Sequence, residues 1–191
     1  MPNWCDNFIE VTHEDPAMMQ RFKKAFDEGK LLQEFVPCPE ELFEEAPVGN
    51  DWQERKLVLL ERNTEKYGHA DWYGWCIENW GTKWDISEGE LDYSPEENNA
   101  SGYFNSAWAP PVQAMEAMTE LGFKILLRYY EPGMSFVGEY TSENGDECYS
   151  YDFEDEDWKD DIPETLIEHF NLVDEYENWV ECNKEYDDDQ S

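Results

Sequence analysis

The chain is short of positive charge. Thirteen Lys and Arg stand against 47 Asp and Glu in 191 residues, a formal net charge of −34. Histidine is scarce too. His13, His69 and His169 are the only three, so the commonest general base is nearly missing, and each reads as a surface or cap residue. The five cysteines (Cys5, Cys38, Cys76, Cys148, Cys182) form no CxxC pair and have no His at ligand spacing. They read as reduced, mostly buried thiols, the alternative being a zinc site assembled from distant segments. No apolar run approaches the ~18 residues of a membrane span, and the opening Met1–Asp6 has neither the basic nor the apolar region of a secretory leader. The expectation is a soluble, cytoplasmic protein. GxxxxGK[ST], GxGxxG, GxSxG and HExxH are all absent, which removes support for phosphate-cradling loops, nucleophile elbows and zincin helices. No cofactor, metal or catalytic residue is assigned, and the chain is read as a non-enzyme.

What is abundant is acid. Duplex DNA carries one negative charge per about 1.7 Å of axis, so the excess here equals that of roughly 58 Å of duplex. A folded chain of this length is about 40 Å across, from a radius of gyration near ~16 Å. A surface so charged repels nucleic acid and anionic lipid and attracts basic proteins with fast, salt-sensitive association. Plain solubility and adaptation to high salt are the bland alternatives. Disorder is excluded by a 40% hydrophobic and 16% aromatic content with nine Trp, ten Phe and eleven Tyr, which is enough to bury a core.

Length predicts one domain with an elaboration. A strand over residues 4–12 is followed by a helix capped by Asp15-Pro16, with Met19, Phe22 and Phe26 on one face and Gly29 at its end. Pro37, Pro39 and Pro47 break the next stretch, which reads as an insertion over about 30–80 with a helix near Asp51–Asn63. Residues 71–85 hold four Trp and read as an aromatic cluster locking that insertion to the sheet, a binding pocket being the alternative. Strands near 84–92 and 102–108 flank the turn chemistry of Ser94–Asn99. Pro110-Pro111 opens a helix with Val112, Met115, Met118 and Leu121 on one face. A meander follows: strand 123–130, a type II turn at Pro132-Gly133, strand 134–140, a hairpin turn at Asn144-Gly145, then alternating Tyr149, Tyr151 and Phe153. Strand, helix, strand, strand, helix, strand is the order of a ferredoxin-like βαββαβ core. The expected fold is therefore α+β, a ferredoxin-like domain over 1–142 with an added C-terminal β-hairpin and an acidic helical extension over 143–191 packed on the same domain.

From Glu143 to Ser191 the net charge is −18 in 49 positions, more than half the total excess. The densest run is Asp152–Asp161, and the chain closes on Asp187-Asp188-Asp189. The run fails as an EF-hand loop, because Asp157 stands where Gly is required and Pro163 where Glu is required, leaving only weak, nonspecific affinity for divalent cations. Pro163 opens a helical stretch whose Leu166, Ile167, Phe170, Val173 and Trp179 can anchor it to the body. The candidate partner-binding residues are Glu143, Asp146, Glu147, Asp152, Glu154, Asp155, Glu156, Asp157, Asp160, Asp161, Glu164, Glu168, Asp174, Glu175 and Glu177. In a ferredoxin-like order, the strand carrying Ser101–Trp108 falls where RNA-recognition domains display stacking aromatics. The sign of the charge argues against direct nucleic-acid binding, and Phe104 and Trp108 read as core.

Met1-Pro2-Asn3-Trp4-Cys5, Asn79–Trp84, Phe104–Pro111, and Tyr130-Glu131-Pro132-Gly133 with Phe136 and Gly138 occur in one order. Together they resemble the YubB-like family of phage- and plasmid-borne proteins with a ferredoxin-like domain, over residues 1 to about 140. The resemblance implies that fold and a home on mobile genetic elements, and it carries no catalytic residues. Mobile elements meet host restriction, CRISPR and recombination proteins, whose basic grooves fit phosphate. The leading expectation is thus a DNA-mimic inhibitor whose partner is a basic nucleic-acid-binding protein of the bacterial host. Two alternatives stand beside it: a small-molecule enzyme using carboxylates near the Trp72–Trp84 block, and an acidic adaptor or chaperone for a basic partner.

Overall fold

The computed structural model describes residues 3–188. Its centre is a six-stranded antiparallel sheet of β1 (Trp4–Thr12), β2 (Ser87–Ser94), β3 (Asn99–Ala107), β4 (Lys124–Glu131), β5 (Phe136–Thr141) and β6 (Gly145–Ser150), in the order β2-β3-β1-β4-β5-β6. With seven helices besides, the fold is α+β.

One sheet face is covered by α1 (Pro16–Asp27) and α5 (Val112–Glu120). Burial alternates along β1 because successive side chains point to opposite faces: Cys5, Asn7, Ile9 and Val11 are buried, while Trp4, Asp6, Glu10 and Thr12 are exposed. The buried set meets Met19, Phe22 and Phe26 of α1, Met115 and Met118 of α5, and Phe104, Ile125, Leu127 and Tyr129 of the neighbouring strands. Asp15 caps α1 as expected, its carboxylate accepting from Ala17 N–H at 2.9 Å.

The insertion comprises α2 (Leu31–Phe35), a 3-10 turn at Glu40–Phe43, α3 (Trp52–Tyr67) and α4 (Trp72–Trp80). Neither α2 nor α4 was expected. The first is a single short helix whose Leu32 and Gln33 amides are satisfied from far away, by the Asp85 carboxylate at 2.9 Å each. The second is capped by Asp71 and ended by Gly81 at φ 89°. Trp75 and Trp80 meet edge to face within it, and Trp80 Nε1–H donates to the Val36 carbonyl at 2.7 Å. Trp80 thereby ties α4 to the end of α2, and it is buried in the same core cluster as the sheet residues Cys5 and Ile9.

On the other face, Tyr130 and Val137 seed a second apolar cluster with Tyr151, Trp158, Ile162, Leu166 and Leu172. These come from the loop after β6, from α6 (Glu164–His169) and from α7 (Leu172–Asp188). The C-terminal segment therefore lies over the β4-β5-β6 half of the sheet and reaches β1 where His169 meets Phe8, and among the described residues its apolar cluster includes nothing from β2 or β3, so that half of the face is open there.

Four local expectations need correction. Gly133 has no positive φ, so the turn after β4 is not type II. Ser135 takes the left-handed backbone instead (φ 53°), and the buried Glu131 carboxylate holds the turn by accepting from Gly133 and Met134 N–H. Trp108 is not core: the chain turns at the end of β3 with Trp108 at φ 70°, pinned by its N–H to the Asn3 carbonyl at 3.0 Å, and the indole is left 41% exposed. Leu121 caps α5 beyond its last turn and is exposed. Val173 is exposed and Leu172 buried, because Asn171 (φ 51°) breaks the helical stretch in two and resets its phase. The cysteines follow the expectation of mostly buried thiols, since Cys5, Cys38 and Cys76 are buried, with burial pushing their thiols up, while Cys148 and Cys182 are exposed.

Candidate protein-interaction surface

All fifteen candidate carboxylates between Glu143 and Glu177 are solvent-exposed. Among the described residues, every Lys or Arg ion pair lies before residue 143, as in Arg21–Glu34, Lys23–Asp27, Arg62–Glu44 and Arg128–Glu139. Among the described residues, the acid of the C-terminal segment has no Lys or Arg ion-pair partner.

The structure divides these residues among three sites. Glu143 flanks the β5–β6 turn, while Asp146 and Glu147 lie on β6 with side chains on opposite faces. Asp146 is already engaged, since the Tyr129 hydroxyl donates to it at 2.8 Å, and burial raises its pKa despite that bond. A run of consecutive turns then shapes residues 152–162: Asp155 N–H donates to the Asp152 carbonyl, Trp158 to Asp155, Asp160 to Asp157 and Ile162 to Lys159. These turns aim Trp158 and Ile162 inward and leave Asp152, Glu154, Asp155, Glu156, Asp157, Asp160 and Asp161 outside. Asp152, Asp155, Glu156, Asp157 and Asp161 surround one depression of about 550 Å³ floored by Tyr151 and Trp158. The rest is helical. Glu164 opens α6 and Asp174 and Glu175 open α7, where carboxylates favour the helix dipole, while Glu168 and Glu177 lie further along. Asp187 and Asp188 fall in the last turn of α7, and Asp189 lies outside the described residues.

The frame beneath is apolar and aromatic. Phe153 meets Trp158 edge to face at 5.0 Å, Tyr151 at 4.8 Å and Tyr176 at 5.5 Å, and Tyr130 lies 5.5 Å from Phe170. Large rings packed this way fix the acidic loop to the sheet, which a tail of Asp and Glu alone could not do.

A second surface forms where the described residues of the four sequence segments quoted above, from Asn3 onward, converge at one end of the sheet. Thr82 Oγ1 donates to the Ala107 carbonyl at 2.9 Å, Trp108 N–H to Asn3, and Ser106 Oγ to the Ala109 carbonyl at 2.8 Å. Here the Lys83 ammonium lies 4.3 Å from the Trp84 ring, 5.1 Å from Trp108 and 5.7 Å from Tyr73. Trp4 joins the group, 6.4 Å from Trp84. Tyr73 and Trp84 share one dense aromatic block with the half-buried Trp75 and the buried Trp80, and nothing in the sequence distinguished the exposed rings of that block from the covered ones.

A cleft of about 460 Å³ lies between α3, the 3-10 turn and the start of α4, lined by Phe43, Trp52, Leu59 and Trp72. Two of its three lining carboxylates are committed: Glu44 pairs with Arg62 at 3.0 Å, and Asp71 caps α4 by accepting from Gly74 N–H, while Glu45 is exposed. Among the described residues, no three His, Cys, Asp or Glu side chains are grouped to hold a metal ion, and no helix is long and apolar enough to cross a membrane.

No protein-family model matches the chain, and no curated protein matches it. Among solved structures it is similar to the crystal structure of protein api92 from Yersinia pseudotuberculosis, assigned to DUF1281, at 10% identity and a TM-score of 0.40, over 80% of this chain and 99% of that one.

Proposed function

We propose that this chain is a DNA-mimic inhibitor carried by a mobile genetic element, acting in the bacterial cytoplasm on a basic nucleic-acid-binding protein of the host. The observation that carries the reading is the C-terminal segment: fifteen exposed carboxylates with no Lys or Arg ion-pair partner among the described residues, held on a frame of packed aromatic rings. Carboxylates on an ordered frame present charge at set positions, as phosphates do. Lys and Arg of a nucleic-acid groove pair with them, bidentately where Arg is available. The partly exposed Trp4, Trp84 and Trp108 supply anchors of the kind that dominate interface energies. No turnover is required.

The same proposal includes a ferredoxin-like core and membership of the YubB-like family. The strand order β2-β3-β1-β4, all antiparallel, with α1 between β1 and β2 and α5 between β3 and β4, supports the first. For the second, the support is the sequence resemblance alone.

The test is competition. The immobilised chain is loaded with host nucleic-acid-binding proteins at low salt and challenged with duplex DNA. Displacement of the retained protein by DNA is the expected result. Retention in the face of DNA excess points instead to an adaptor that binds its basic partner away from the groove, and retention of metabolic enzymes alone removes the reading.

A further inference from the structure

The open half of the sheet is a surface of its own, distinct from the acidic segment. Cross-strand register sets its pattern, because directly opposed residues of antiparallel strands point to the same face. One row runs Glu90, Tyr103, Phe8, and the next runs Asp92, Ser101, Glu10. Asp6 precedes Phe8 on the same side of β1, opposite Asn105. Tyr103 is 55% exposed, the most open ring on the sheet, and all four carboxylates are exposed. Neighbouring strands lie about 4.8 Å apart and alternate residues about 6.7 Å apart, so carboxylates border the two rings on three sides. The fourth side is the wall of α6, where the His169 ring meets Phe8 at 5.0 Å. A depression of about 360 Å³ lies between Phe8, Glu10 and Ser101. The one cation in these rows, Arg128 opposite Phe8, is held by Glu139 at 2.8 Å.

Rings in the middle and carboxylates around them form a receptor for a planar cation. A guanidinium stacks on a tyrosine face while its N–H fork pairs with a carboxylate at the rim, whereas an ammonium is a point charge that cannot do both as well. A nucleobase also stacks on such a ring, but its phosphates would meet Glu10, Glu90 and Asp92. We infer that the open β2-β3-β1 face is a docking site for an arginine-rich polypeptide segment, with Tyr103 and Phe8 as the stacking platform and Asp6, Glu10, Glu90 and Asp92 as its ionic rim. The site is independent of the reading given to the C-terminal segment.

Nona-arginine and nona-lysine are the probes, titrated into the full chain at moderate salt with backbone amide shifts as the readout. Nona-arginine should bind about tenfold more tightly than nona-lysine, the ratio that stacking worth about 1.4 kcal/mol produces. Its shifts should centre on Phe8, Glu10, Ser101 and Tyr103. Tyr103→Ala should bring the two affinities together, Tyr103→Phe should keep them apart, and Glu90→Gln with Asp92→Asn should weaken both. Glu116→Gln with Glu120→Gln, equal charge removal on the exposed side of α5, should change neither by more than about twofold. Equal affinity for both peptides, shifts confined to residues 152–177, or a single-stranded oligonucleotide moving the same sheet residues would each overturn the inference. Failure of DNA to displace a captured partner removes the mimic reading and leaves this one standing.

Discussion

The Tyr151 hydroxyl donates to the Tyr130 hydroxyl at 3.2 Å, with the two rings stacked 18° apart at 6.5 Å. Tyr130 belongs to the sheet and Tyr151 to the first residues beyond it, so this buried pair joins the acidic segment to the body. Burial raises both phenols above their ordinary range, which keeps them protonated and able to bond. Leu166, one of the most buried side chains of the same cluster, should cost about 2–5 kcal/mol when changed to Ala. Tyr151→Phe should cost about 1 kcal/mol, the net worth of one hydrogen bond. Urea unfolding measures both, and a Leu166→Ala chain as stable as the parent would mean that the segment is not docked.

Gly138 answers to the other face. A methyl group there would overlap the Tyr129 ring and come within 2.6 Å of the Glu147 carbonyl, and neither can retreat. Tyr129 is held by its bond to Asp146, and Glu147 by pairing of β5 with β6. Gly138→Ala should therefore destabilise by about 1–3 kcal/mol through overpacking and loosen the hairpin specifically. Hydrogen exchange of the β5 and β6 amides is the check, with acceleration confined to those strands as the expected pattern.

Asp85 predicts a pH dependence. Its carboxylate accepts from Leu32, Gln33 and Ile86 N–H, yet burial outweighs those bonds and raises its pKa. A carboxyl whose folded pKa lies above its unfolded value makes the native state hold a proton longer, so stability falls as pH rises through that window. Asp6 and Asp146 are raised by burial and act with the same sign. His169 acts oppositely, its pKa being lowered chiefly by burial, and withdraws stability as pH falls below about 6.5. Asp85→Asn isolates one contribution. The variant turns an acceptor oxygen toward Gln33 into a donor, which costs about 1 kcal/mol at any pH. The gap between parent and variant should widen from pH 7.5 to pH 4.5 in urea midpoints, and a gap that narrows would reverse the sign assigned to Asp85.

The first strand, the Asp15 cap, the Val112 helix and the Asn144-Gly145 hairpin were legible because each rests on local chemistry: alternation, a capping side chain, helical spacing, a turn dipeptide. What the sequence hid is non-local. Asp85 satisfies α2 from more than fifty positions away, and the positive φ of Asn171 that moves the anchor from Val173 to Leu172 is one that asparagine adopts readily but that a lone Asn does not announce. The acidic candidates were readable as exposed but not as divided among hairpin, loop and helices. Tyr103 was passed over for its neighbour Phe104, because only the register with Phe8 tells which of the two points outward.

Removing acid should separate stability from binding. Asp155, Glu156 and Asp157 are exposed and have no ion-pair partner among the described residues, so their neutral amides break no contact. They do remove repulsion within a segment of like charge. Asp155→Asn, Glu156→Gln and Asp157→Asn together should leave stability within about 0.5 kcal/mol of the parent or raise it. Added salt, which screens the same repulsion, should raise the melting temperature of the parent more than that of the triple variant. Affinity for a basic partner should move the other way. It should fall in small, similar steps as charges are removed, and the dependence of log Kd on log salt should flatten with each step, as counterion-linked association requires. An enzyme working through one carboxylate would instead lose its activity in a single substitution and keep the rest of its surface for free. Melting curves and salt-dependent titrations on the single, double and triple variants distinguish the two, and a single abrupt loss at any one of these positions would contradict binding by a distributed anionic surface.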